Sequence, residues 1–205
     1  MEKTMTLTLR EAAFVFGGKL KEIVRIVEEH AALTTTVARG GRNLRVLGMP
    51  DLIYLQALGE VGEMLSPLGR FQLHEALLDG LAKHEVAVGT FLLPLDPLKI
   101  NVEKRLEALE KLKDGVDGNP DDPFIKGTEI EVYRISALLD GGATPEDVVR
   151  DYPSLVPEQI EVARAYAEAI PKKGRPYPKT SFKSAVRRLN LDALEEALAE
   201  EEGQG

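Results

Sequence analysis

Two apolar rhythms alternate along the chain, a helical repeat of three to four residues and β-branched runs around glycine turns. Thr8 stands three residues before Glu11, the spacing of a capping box, and opens a helix that runs to Phe16, where Gly17-Gly18 ends it. Leu20, Ile23, Val24 and Val27 then recur at helical spacing, predicting a second helix whose apolar stripe packs on Ala12 and Phe16. The next run is β-branched on both sides of Arg39-Gly40-Gly41-Arg42 and predicts a hairpin. Helix, helix, hairpin is the order of a winged helix.

Pro50 begins a further helix, and Ser66 to His84 predicts another with Leu68, Phe71, Leu78 and Leu81 on one face. Glu85 to Asp96 reads as a short strand, and Val102, Leu106, Leu109 and Leu112 line one side of an amphipathic helix. Asp114 to Asp122 is rich in turn formers and marks a domain boundary. Beyond it, a short strand around Glu129 to Val132 leads to a helix from Tyr133 to Asp140, ended by Gly141-Gly142. Thr144 caps the next helix, with Pro145 and Asp147 in its first turn. The third starts at Pro157 and carries Ile160, Ala163, Tyr166, Ala167 and Ile170 on one stripe.

The expected fold class is mainly α with short β elements. It comprises an N-terminal winged helix-turn-helix, a C-terminal three-helix (helix-turn-helix-like) domain and a flexible tail. The expected divisions are a DNA-binding region at 1–60, a helical and strand dimerisation region at 61–118, the three-helix domain at 119–171 and the tail at 172–205. The tail opens in coil broken by prolines, has too few apolar residues for a core, and is expected to order on a partner.

Charge sharpens this division. The net charge of −8 argues against nucleic acid only if it is evenly spread. Residues 1–50 hold eight basic against five acidic groups, and residues 51–171 hold 11 against 23. Residues 172–190 carry seven basic groups and no acid, and 191–205 carry six acids and no base. An acidic body with basic ends can engage polyanions at those ends. The absence of cysteine removes disulfides and thiolate sites, and no apolar run approaches the roughly 20 residues of a membrane helix. The N-terminus lacks the apolar core of a signal peptide, so a soluble cytoplasmic protein without a membrane role is expected.

Catalysis finds no foothold. His30, His74 and His84 are scattered, and neither a glycine-rich phosphate loop nor a nucleophile or zinc motif occurs. Asp114, Asp117, Asp121 and Asp122 miss the spacing of a calcium loop. A non-enzyme without a cofactor is expected. The DNA-facing candidates are Lys19, Lys21 and Arg25 on the second helix, Arg39 and Arg42 at the hairpin tip, and Arg45 on the return strand. The second helix pair, by contrast, carries Glu146, Asp147, Asp151, Glu158 and Glu161, which would repel phosphate, so it is expected to pack against protein.

The series Gly127-Thr128, Val132-Tyr133, Gly141 to Pro145, Asp151 to Leu155 and Pro157 to Ile160 resembles the family catalogued as domain of unknown function 433. That family is known as predicted antitoxins. The resemblance spans Ile125 to Ile170 and departs at Glu129, usually Arg, and Glu131, usually Pro. The N-terminal layout is similar to DNA-binding domains of the MerR type. Together these imply a VapB-type antitoxin that represses its own operon at operator DNA and neutralises a PIN-domain ribonuclease, as a homodimer that forms a higher assembly with the toxin. Such a nuclease gathers carboxylates around Mg²⁺. The tail offers Lys183, Arg187 and Arg188 as cations beside Phe182, Val186 and Leu189 as apolar anchors. A stand-alone MerR-like regulator without a toxin partner is the alternative.

Overall fold

In a computed structural model, the structure describes residues 5–30, 33–39, 42–119, 121–181 and 185–186. The chain divides into two compact units, Met1–Lys111 and Leu112–Gly205. Among the described residues the fold is mainly α with short antiparallel strands.

The first unit opens with β1 (Leu7–Thr8) and α1 (Leu9–Phe16). The capping box forms: Thr8 N–H donates to the Glu11 carboxylate at 2.7 Å and Glu11 N–H donates to Thr8 Oγ1 at 3.4 Å, which satisfies two backbone donors reciprocally. Gly17 ends α1 with φ 79°, a left-handed cap that glycine adopts without steric cost and that turns the chain into α2 (Leu20–Glu29). Ile23 and Val27 bury one side of α2, whereas Leu20, expected on the packing stripe, is 37% exposed.

β2 (Thr35–Arg39) and β3 (Arg42–Leu47) form the hairpin, and β1 adds to it in the order β1-β3-β2. Leu7 faces Leu47, and Thr35 faces Val46. α3 (Met49–Val61) buries Leu52, Ile53, Tyr54, Leu55 and Ala57, apolar nearly all round because it runs through the middle of the unit.

α4 (Pro67–Gly80) is capped by Ser66. Its buried side is Leu73, His74 and Leu77, while Leu68, Phe71 and Leu78, expected on one face, are exposed. The expected single strand between Glu85 and Asp96 is instead a hairpin of β4 (Glu85–Val88) and β5 (Phe91–Pro94). Asp96-Pro97 then opens α5 (Asp96–Lys113), which starts earlier than its apolar stripe suggested.

In the second unit the acidic stretch expected as a linker pairs into β6 (Val116–Asn119) and β7 (Asp122–Ile125), with Val116 opposite Ile125. The strand expected around Glu129 to Val132 is reduced to one bridge between Phe124 and Glu131, because Thr128 turns the chain by donating to the Ile125 carbonyl at 2.9 Å. α6 (Val132–Asp140), α7 (Pro145–Asp151) and α8 (Pro157–Ala169) follow. Val132, Ile135, Leu138, Val148, Leu155, Ile160, Ala163 and Tyr166 make their core. The Tyr133 hydroxyl donates to the Ile170 carbonyl at 2.9 Å, tying α6 to the end of α8. No helix among the described residues is long and apolar enough to cross a membrane.

Candidate nucleic-acid and partner interfaces

In the first unit the cations of α2 are solvent-facing. Lys19 is its exposed N-cap, where its backbone N–H donates to Glu22 Oε2 at 3.1 Å. Lys21 and Arg25, four residues apart, share one exposed side. Arg25 Nε lies 3.9 Å from Glu29 Oε1, with both side chains at least half exposed, a pair that solvent screens and a phosphate can displace. Arg45 is exposed on β3 opposite Thr36. Arg39 and Arg42 pair with each other across the end of the hairpin, but their side chains, like Gly40 and Gly41, lie outside the described residues.

The histidines do other work. His74 is buried and its Nε2 lies 3.0 Å from Asp51 Oδ1. The Tyr54 ring meets His74 edge-on at 5.2 Å and His30 at 6.0 Å, so α2, α3 and α4 are joined by one polar aromatic cluster. Burial pushes the Tyr54 hydroxyl up to about 12, keeping it neutral. His84 is exposed and pairs with Asp96 at 2.8 Å. Among the described residues no group of three or more His, Cys, Asp or Glu could hold a metal ion.

α4 presents the unit's most exposed apolar stripe. Leu68, Phe71 and Leu78 are 65, 50 and 49% exposed, and Met64 stands just before the helix. Such a stripe on a water-facing helix is costly unless something covers it.

In the second unit the helix-turn-helix carries its acids outward, and two of them serve their own helix. Asp147 accepts from the Thr144 backbone N–H at 3.1 Å, which holds its carboxyl below the usual range, and Glu146 is lowered by its own backbone N–H. The segment from Pro171 to Ser181 lies along this unit. Lys172 Nζ reaches Asp122 Oδ1 at 2.5 Å and sits over the rings of Tyr133 and Tyr177, at 5.3 and 4.8 Å. The Tyr177 hydroxyl donates to the Glu131 carboxylate, Arg134 Nη1 donates to the Pro178 carbonyl at 3.4 Å, and the Ser181 hydroxyl donates to Asp151. The Glu131 hydrogen bond, then burial, raise the Tyr177 hydroxyl to about 12. Lys179, Thr180 and Ser181 wall a cavity of about 360 Å³ whose other side is the end of α6 and the outer side of α7.

The strap from residue 172 to 181 had no clear signal in the sequence, which suggested mobile coil from residue 172 onward. Ala185 N–H donates to the Ser181 carbonyl at 2.9 Å, and residues 185–186, with Val186, are helical. Phe182, Lys183, Arg187, Arg188 and Leu189 lie outside the described residues.

A family model described as "Protein of unknown function (DUF433)" matches residues 122–167, from β7 through most of α8. The chain is also 28% identical over 184 residues to the "Uncharacterized protein y4eO" of Sinorhizobium fredii (strain NBRC 101917 / NGR234). That likeness covers 82% of this chain and 83% of the relative, and so runs through both units. No solved structure matches the chain.

Proposed function

We propose that the chain is an antitoxin of a type II toxin–antitoxin pair. It neutralises a PIN-domain ribonuclease through the basic segment that follows Ser181, and it represses its own operon by binding operator DNA with the first unit. The observation that carries the reading is the charge of that segment together with the fastening of Ser181 just before it. Of the seven cations between residues 172 and 190, Lys183, Arg187 and Arg188 follow Ser181 with no acid among them and with Phe182, Val186 and Leu189 interleaved, and Ser181 ends a strap bound to the DUF433-like unit. A nuclease whose carboxylates gather Mg²⁺ presents the complementary charge, and Arg187 and Arg188 can each pair with two carboxylate oxygens.

For the operator the supporting features are the helix–helix–hairpin order of a winged helix and the outward Lys19, Lys21, Arg25 and Arg45. Two half-sites require a two-fold dimer, and the helical stripe of Leu68, Phe71 and Leu78 fits a second copy of α4 better than a flat or flexible partner. The test is co-expression with the small nuclease gene expected beside this one. Growth rescue by the full chain, but not by a chain ending at Ser181, supports the antitoxin. A neighbour without nuclease activity, together with intact operator binding, supports instead a stand-alone MerR-like regulator, which the exposed cations of the first unit fit equally well.

A further inference from the structure

The strap crosses the second unit from β7, past the start of α6, to the end of α6 and α7. Gly141 is the clearest sign. Its backbone is ordinary, with φ −82° and ψ −1°, so nothing in its conformation asks for glycine. A Cβ there would collide with the Lys179 carbonyl oxygen, its own carbonyl carbon and the Lys179 side chain, so it is the strap's backbone that excludes a side chain at this position. Around that close approach the strap is held by groups from separate elements: Asp122 on β7, Glu131 ahead of α6, Arg134 on α6 and Asp151 at the end of α7. The strap offers one cation and two hydroxyls to three carboxylates and a backbone carbonyl to Arg134, so charge and shape agree.

From this we infer that the DUF433-like unit is a clamp that holds the chain up to Ser181 and so fixes the point from which the cations after it depart. This assignment rests on the antitoxin reading for its purpose but not for its geometry. A tail tethered at a fixed point meets its partner at lower entropic cost than one free from residue 172 onward. It also gives the acidic helix-turn-helix a role, because Asp151 at the end of α7 holds the strap.

The test uses the full chain carrying Gly141→Ala, which α6 itself tolerates, and a second variant, Tyr177→Phe with Ser181→Ala, which leaves α6 untouched. Limited trypsin digestion reads the Lys179–Thr180 bond. Both variants are expected to be cut there at least ten-fold faster than the unaltered chain, with thermal melting of the second unit retained. Cleavage at the unaltered rate in both would overturn the clamp. Where the neighbouring nuclease is in hand, both variants are expected to bind it at least ten-fold more weakly, although every cation is still present. Fast cleavage with unchanged nuclease affinity would leave the strap real and overturn its positioning role. Failure of the unaltered chain to bind any nuclease would count against the antitoxin reading while the digestion result stands apart.

Discussion

His74 on α4 and Asp51 in the first turn of α3 are joined by a 3.0 Å contact inside the first unit. Asp51 is doubly used, because its other oxygen accepts the Gly48 backbone N–H at 2.7 Å and so caps α3. Asp51→Ala removes the cap and strands a buried imidazole. The expected loss is about 2–4 kcal/mol, from roughly 1 for the cap and 1–3 for the unpartnered polar group. Urea unfolding checks it, with a lower midpoint and an unchanged slope.

The DNA contacts are a matter of salt as much as of affinity. Lys21→Ala and Arg45→Ala each remove one exposed cation whose loss leaves the core intact. Each is expected to weaken operator binding and to lower the salt slope of log K by about 1. Fluorescence anisotropy over a salt series checks this, and unchanged slopes in both would remove the DNA assignment from α2 and β3.

Phe71→Glu places a charge in the middle of the exposed stripe on α4. A two-fold contact puts the two new carboxylates near each other, so the dimer is expected to fall to monomer by light scattering while the melting temperature of the monomer stays within a few degrees. A variant that stays dimeric would move the interface off α4.

Tyr177 makes a pH prediction. Its hydroxyl is raised from 10.0 to about 12 in the folded chain, so the strap contact is fully present below pH 10 and is lost as pH rises through about 12. Subtracting the ultraviolet titration of Tyr177→Phe from that of the unaltered chain is expected to show one phenol ionising near 12. A difference curve centred near 10 would mean that Tyr177 is not bonded to Glu131.

The helices were legible in the sequence because their signals are local. Thr8 with Glu11 forms the capping box its spacing predicts, and Thr144 caps α7 as expected, with Asp147 in its first turn. The sides that those helices bury were harder to read. Leu68, Phe71 and Leu78 keep helical spacing, but periodicity records which residues share a side and not whether a neighbour covers it, and the core took Leu73, His74 and Leu77 instead. The strap escaped for a different reason. It docks through Lys172 over the Tyr133 ring and on Asp122, the Tyr177 and Ser181 hydroxyls and a missing Cβ at Gly141, contacts made across 30 to 50 residues that a count of apolar side chains does not register. Likewise the acidic run at Asp114 to Asp122 looked like a solvated linker, although Asp117 accepts the Gly127 N–H at 3.0 Å and Asp122 anchors Lys172.

The most direct measurement is calorimetric titration of the neighbouring nuclease, loaded with Mg²⁺, with the full chain and with a chain ending at Ser181. The account predicts tight binding by the first and a loss of at least a hundred-fold by the second, with operator binding equal in both. Equal nuclease affinity for the two chains would contradict it, because the cations after Ser181 would then contribute nothing to recognition.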